Sequence, residues 1–256
     1  MLVLLGLLAA AMAFGRNGSV TNPDDLVEMI RRNVRALEQG PGYSIVVTRL
    51  AKRCEEKFPN DAVLWIRDGP GRVYLGGRLS KVDAGDLVKV TRGEIFTIEP
   101  IGGTLVYIAV IVKPMAQGRS APAGIRPAEG KMGDVISKSE IDAVIAHTDA
   151  NAPLHTQDNF TMNFVLFKGR TGPWESHTNC ADIYFVQTGK GVIELGGKIE
   201  NAKEDQPAEP RGTAITGSKR TPVGAGDLIV IPRGVAHHMN PEERPLAYVL
   251  IKVWSE

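Results

Sequence analysis

The sequence predicts a mainly β protein made of two similar halves, and three observations carry that expectation. With 28 Gly and 16 Pro in 256 residues, many short strands joined by turns are favoured over long helices. Apolar runs such as YSIVVTRL, AVLWIRD, RVYLGG, LVKV and LVYIAVIV are each bounded by Gly, Pro or Asp, as strands are. The order of a helix followed by strands then occurs twice, and the halves match in detail. AVLWIRDGPGRVYLGG at Ala62 answers DIYFVQTGKGVIELGG at Asp182, VDAGDLVKVTRGEIFTI at Val82 answers VGAGDLIVIPRGVAHHM at Val223, and TLVYIAVIVKP at Thr104 answers PLAYVLIKVWS at Pro245.

Taken in order, the chain opens on an apolar run, MLVLLGLLAAAMAFG, that ends in the small-x-small pattern Ala11-Met12-Ala13. This pattern predicts a signal peptide over 1–13 and an exported protein, periplasmic or secreted. The run is too short to span a bilayer, so no membrane span is expected in the mature chain. A helix is expected from Asn22, with Asn22 as N-cap, Pro23 in the first turn and Asp24 and Asp25 at the positive end of the dipole. Leu26, Ile30, Val34 and Leu37 recur at helical spacing, and Gly40-Pro41-Gly42 reads as its stop. The Pro-, Gly- and Ala-rich stretch 114–136 reads as a linker between a first unit, 14–113, and a second, 137–256. A second helix is expected over Ser137–His147, opened by a capping box of Ser137 and Glu140.

The chemistry concentrates in the second half. Glu175 and His177 are two apart on an extended segment, so both point to one face. Asp182 starts an apolar run, and Pro232 and Gly234 bend the chain just before His237. Glu175, His177, Asp182 and His237 form an oxygen- and nitrogen-rich set of the kind that binds a divalent metal. The spacing Gly169-x5-Glu175-x-His177-x4-Asp182-x6-Gly189, with Gly226-x5-Pro232-x-Gly234-x2-His237, resembles the two motifs of the cupin superfamily. Those motifs run G-x5-H-x-H-x3–4-E-x6-G and G-x5-P-x-G-x2-H-x3-N. Here Glu replaces the first His, Asp replaces the Glu, and Asn240 comes one residue early. A rival register takes His177-Thr178-Asn179 as H-x-H and puts Tyr184 at the acid position.

With its duplication, the chain resembles a bicupin, small and exported, with a variant Glu-x-His-x4-Asp motif. The resemblance implies tandem double-stranded β-helix (jelly-roll) barrels, each preceded by a short helix. It also implies one divalent transition metal on Glu175, His177, Asp182 and His237, with Fe or Mn favoured and Zn or Ni also suited. Glu175, if it does not ligate, and Tyr184, on Asp182's inward face, are the candidate catalytic residues. In the first half the counterparts of Glu175, His177, Asp182 and His237 are Glu55, Lys57, Ala62 and Phe96, and Thr91 stands for Pro232. That barrel is expected to hold no metal and to serve packing or dimer formation.

Acids and bases are interspersed at a net charge of +1, which offers no basic stripe for nucleic acid, so a small-molecule ligand or substrate is expected. A homodimer is the expected assembly. His147 and His155 read as structural and surface residues, and His238, opposite in face to His237, as exposed or supporting. Trp65 and Trp254 read as core. Cys54 and Cys180 are compatible with one disulfide or with two free thiols. The polar stretch 198–223 reads either as a lid carrying Arg211, Lys219 and Arg220 or as a solvated insertion. Three functions fit: a metal-dependent oxidoreductase of dioxygenase type on a small oxygenated compound, a redox-neutral isomerase or lyase on a sugar or keto acid, and a non-enzymatic binder of a metal or small ligand.

Overall fold

The protein is described by a computed structural model over residues 18–32, 36–114, 132–147, 151–157, 159–203 and 208–255. The signal peptide expected over 1–13, and most of the linker expected over 114–136, lie outside the described residues. The first half begins with strand β1 (Ser19–Thr21) and helix α1 (Pro23–Arg31). Its remaining strands are β2 (Ala36–Gln39), β3 (Tyr43–Leu50), β4 (Cys54–Lys57), β5 (Asp61–Asp68), β6 (Gly71–Leu75), β7 (Arg78–Val82), β8 (Leu87–Val90), β9 (Ile95–Pro100) and β10 (Leu105–Val112). The second half repeats the plan with β11 (Asp134–Ile136) and α2 (Lys138–His147). Then come β12 (Ala152–Thr156), β13 (Phe160–Phe167), β14 (Trp174–Glu175), β15 (Cys180–Leu195), β16 (Lys198–Glu200), β17 (Arg211–Gly212), β18 (Ala214–Thr216), β19 (Lys219–Gly224), β20 (Leu228–Ile231) and β21 (His237–Trp254).

Helix α1 is capped as expected, with the Asp25 N–H donating to Asn22 Oδ1 at 2.9 Å and Pro23 in the first turn. It ends at Arg31, however, well short of Leu37. Leu37 is buried in β2, and Gly40-Pro41-Gly42 is the turn of the β2–β3 hairpin, closed by Gly40 N–H to Tyr43 O at 3.0 Å. A strand residue buried by pairing thus fell by coincidence on the helical spacing. The capping box of α2 is present: the Glu140 N–H donates to Ser137 Oγ at 3.2 Å, and the Ser137 N–H to Glu140 Oε2 at 2.7 Å.

The large sheets of the two halves share one strand order, β11-β8-β5-β10-β3-β2 in the first and β1-β20-β15-β21-β13-β12 in the second. The first barrel closes with a smaller sheet, β4-β9-β6-β7. In the second barrel, β15 and β21 run on unbroken to do the same work, joined by β14 and β19. These are the expected tandem antiparallel barrels. Their leading strands are exchanged: β1 pairs with β20 of the second half, and β11, which falls in the stretch expected as linker, pairs with β8 of the first.

Matching turns receive the two leading helices. Gly85 and Gly226 have positive φ, and a Cβ there would press on Lys138 of α2 at the first and on Arg67 and on Pro23 of α1 at the second. Asp86 accepts from the Asp83 N–H at 2.7 Å and, across the halves, from the Lys138 N–H at the start of α2 at 2.5 Å. Its counterpart Asp227 accepts from the Gly224 N–H at 2.7 Å.

Alternation sorts each strand's side chains between two cores. Leu105, Tyr107 and Ala109 of β10 fill the first barrel, while Val106, Ile108 and Val110 face the other half. In β21, Leu246 and Tyr248 point into the second barrel, and Val249, Ile251 and Val253 point at the first. Both faces of these strands are buried, so they read as continuous apolar runs. Trp65 stacks on Phe185 between the halves, with centroids 4.6 Å apart. Trp65→Ala is expected to cost about 3–5 kcal/mol in urea unfolding. Asp86→Ala, which strips a cap from α2, should cost roughly 0.5–2 kcal/mol in the same measurement.

Candidate metal centre in the second barrel

Glu175 ends the two-residue strand β14, which is clamped between β21 (Glu175 opposite His237) and β17 (Glu175 opposite Arg211). The chain continues extended to His177, whose carbonyl accepts from the Gly234 N–H at 2.6 Å. The turn at Pro232-Arg233-Gly234 therefore fixes His177 and delivers His237 to the first position of β21. Asp182, on β15, points inward with Tyr184, and lies opposite Lys252 of β21.

These elements bring all four expected residues together. Glu175, His177 and His237 each offer a ligand atom within 4.8 Å of the others. Both imidazole Nε2 atoms lie 3.8 Å from Glu175 Oε1, and ligand atoms about 2.0–2.2 Å from one ion sit roughly 3–4 Å apart. Asp182 stands outside that trio but beside it, its Oδ2 being 3.3 Å from His177 Nε2 and 3.7 Å from His237 Nε2. Tyr184 donates its hydroxyl hydrogen to the same oxygen at 3.3 Å and stacks on Tyr248 at 4.2 Å.

The donor set suits a cation. His237 Nδ1 is bonded to Val235 O at 3.1 Å, which orients the ring so that Nε2 faces the cluster. That Nε2 is buried and makes no hydrogen bond, and the same holds for Asp182 Oδ1. Burial pushes the His237 imidazole down towards the neutral, ligating form. For His177 burial acts the same way, but Asp182 and contact with Glu209 outweigh it and hold the ring at about 9. The Asp182 carboxyl, which burial alone would raise, is held well below the usual carboxylate range by Lys252 and His177.

Three residues that sequence reasoning left out of the cluster complete it. Lys252 Nζ lies 3.2 Å from His177 Nε2 and 3.9 Å from Asp182 Oδ1. Glu209 Oε1 lies 3.4 Å from both His177 Nδ1 and Lys252 Nζ, and contact with His177 holds its carboxyl down at about 2. Arg211, expected only as an anion contact, bonds Glu175 Oε2 at 2.9 Å and leaves Oε1 to the imidazoles. Glu209 and Arg211 belong to the long connection after β16. Its backbone follows the ligand segment, with the Ser176 N–H donating to Pro210 O and the Thr178 N–H to Ala208 O, both at 3.1 Å. The described part of 198–223 thus carries strands and covers the site.

The first barrel holds the same frame with other side chains. Glu56, not Glu55, lies opposite Phe96, and the Gly93 N–H donates to Phe58 O as the Gly234 N–H does to His177 O. Phe58 rather than Lys57 is therefore the counterpart of His177, one residue fewer separating it from β5. Phe58 and Phe96 pack at 5.7 Å where His177 and His237 lie at 5.2 Å. One other expectation is corrected, and another is decided against its exposed alternative. His155 is buried against Phe160, and His238, also buried, stacks on Trp174 at 4.2 Å with Nδ1 3.3 Å from Pro173 O. Both cysteines are free thiols. Among the described residues no helix is long and apolar enough to cross a membrane.

No protein-family model matches the chain, and no curated protein matches it by sequence. Among solved structures, it is similar to a cupin 2 conserved barrel domain protein from Leptotrichia buccalis at 16% identity and a TM-score of 0.58, covering 85% of this chain and 86% of that one. It is also similar to a salicylate 1,2-dioxygenase from Pseudaminobacter salicylatoxidans at 11% identity and a TM-score of 0.65, over 93% and 85% of the two chains. The gentisate adduct of that enzyme gives 12% identity and a TM-score of 0.62, over 92% and 81%. At these identities the likeness is one of fold.

Protonated His177 contributes stability that is fully present below its unfolded value of about 6.5 and is lost as pH rises through about 9. In chelator-treated protein the melting temperature should therefore fall across that window, and His177→Gln should flatten the fall. A wild-type melting temperature constant over the same range, by calorimetry, contradicts the assignment.

Proposed function

We propose that this chain, which has the cupin fold, binds one divalent transition metal in its second barrel through Glu175, His177 and His237, with Asp182 beside them. On this reading the protein is an oxidoreductase of dioxygenase type acting on a small oxygenated compound. The observation that carries it is the convergence of two buried imidazoles and the part-buried Glu175 carboxylate, in which His237 Nε2 has no hydrogen bond while its Nδ1 is fixed by Val235 O. Two imidazoles and a carboxylate suit Fe(II) or Mn(II) for oxygen chemistry, with Zn(II) and Ni(II) as the other ions these ligands accept. Bound there, the ion would supply Lewis acidity and a coordination site for oxygen and substrate. Likeness to a dioxygenase whose gentisate adduct is known supports the reaction class.

The protein's own residues divide the remaining work. Arg211 holds one oxygen of Glu175, so the other faces the imidazoles and is free to ligate or to move a proton. Tyr184 steadies Asp182, which in turn spans both rings. The segment from Ala208 to Gly212 runs along the ligand segment and brings Glu209 and Arg211 to the cluster. The same reading takes the protein to be exported, on the apolar leader ending at Ala13. Exposed Tyr74, Leu79 and Ile95 on the first barrel's small sheet favour a homodimer through that face.

Protein purified without chelators should carry near one equivalent of transition metal by mass spectrometry. His177→Ala and His237→Ala should lose it, and Tyr184→Phe should weaken metal affinity about 10–100-fold. Oxygen uptake that requires Fe(II) and an added phenolic acid would establish the oxidoreductase. Wild-type protein that takes up none of Fe(II), Mn(II), Zn(II) or Ni(II) overturns the metal reading.

A further inference from the structure

Beside the cluster lies an open pocket of about 300 Å³ at the β12 edge of the second barrel, lined by Pro153, Thr161, Asn163 and Trp254 and bounded by Glu209 and Lys252. Its volume corresponds to roughly ten water molecules at about 30 Å³ each, or about ten non-hydrogen atoms of solute. Lys252 is the one cation among its described lining residues. The side chain is 14% exposed, on a strand whose neighbours Ile251 and Val253 are fully buried. The fold does not require a cation there, because the equivalent position of the first barrel is Ile111, in β10. Asp182, opposite Lys252, is likewise Ala62 in the first barrel. The ammonium and the carboxylate thus occur together, in the barrel that carries the imidazoles.

An ammonium has three hydrogens to place, and a buried one is costly unless they are placed. In this structure Lys252 reaches His177 Nε2 at 3.2 Å and Glu209 Oε1 at 3.4 Å, while Asp182 Oδ1 at 3.9 Å is beyond hydrogen-bond range. His177 Nε2 also faces the proposed metal, so the partner that Lys252 keeps to itself is Glu209, from a half-exposed loop. A further acceptor can be supplied from the cavity. Thr161 and Asn163 are neutral there, and Leu250 and Trp254 offer an apolar wall.

We infer that Lys252 anchors the carboxylate of a small, single-ring-sized acid in this cavity, next to the proposed metal, with Glu209 as the carboxylate it displaces. The sharing of His177 with a metal rests on the metal reading, whereas the cavity and the cation in its lining do not. Lys252 is on this account a specificity-determining residue: it selects a charged oxygen over a neutral one of the same shape.

Benzoate and benzamide, matched in shape and differing in charge, are the probes, with binding followed by calorimetry and metal content measured in each sample. Wild type should bind benzoate more tightly than benzamide. Lys252→Met should weaken benzoate about 30-fold or more and leave benzamide unchanged. Lys252→Arg should restore much of the preference, and Glu209→Gln should tighten benzoate several-fold by removing the rival anion. Equal binding of the two probes by wild type, or unchanged benzoate affinity in a folded Lys252→Met, overturns the inference whatever the metal content. Should Lys252→Met not fold, the wild-type preference and the Glu209→Gln shift decide it, and absence of both overturns it. A Lys252-dependent benzoate preference in protein that takes up no metal would sustain the anchor and remove the metal reading, so the two fail separately.

Discussion

One apolar layer governs this molecule: two large sheets packed face to face, with Trp65 on Phe185 near its centre. Because the outer face of each sheet is spent on the other half, the chemistry is confined to the inner faces and the barrel mouths. Side chains on β21 show the division. Val249, Ile251 and Val253 belong to the interface, while Tyr248, Leu250 and Lys252 belong to the inside of the second barrel. A slip of one residue would drive Lys252 into the apolar layer, so the interface also sets the register of the site.

The two barrels show how little separates a site from a core on a common frame. The carbonyl of Phe58 and that of His177 are held by equivalent glycine amides, and the two aromatic pairs meet at nearly the same separation. Phenyl rings with Ala62 beside them make a packed plug. Imidazoles with Asp182 beside them make a set of donors that repel or attract charge, and they recruit Lys252, Glu209 and Arg211 to balance it. Backbone geometry is held constant, and the electrostatics change with the side chains.

Much of this was legible in the sequence, for physical reasons. Strands buried on both faces announce themselves as near-continuous apolar runs, so β8 and β10 coincide with LVKV and LVYIAVIV, while β3 shows as the alternating run YSIVVTRL. The four donors were found because turn geometry ties them to Gly and Pro at fixed intervals. What was not legible depended on distance or on a single residue. One residue fewer before β5 displaced the counterparts of Glu175 and His177 to Glu56 and Phe58, which only strand pairing reveals. Glu209 comes from a connection with no periodicity. Lys252 did leave a signal, a lone charge in the run YVLIKVW, and burial on both faces is what gives that signal meaning. The helical spacing of Leu37 was accidental, since hairpin pairing buries it equally well.

The exchange of leading strands bears on the order in which the chain can assemble as it is made. Residues Ser19 to Thr21 emerge early, yet their partners in β20 are synthesised near the end. The first barrel likewise keeps the edge of β8 open until Asp134 to Ile136 arrive. Contacts so far apart in sequence favour slow folding, and an open strand edge is a template for pairing with the wrong chain. Strand β1 is thus made long before the β20 it pairs with, and the first barrel has its full complement of strands only once the start of the second half exists.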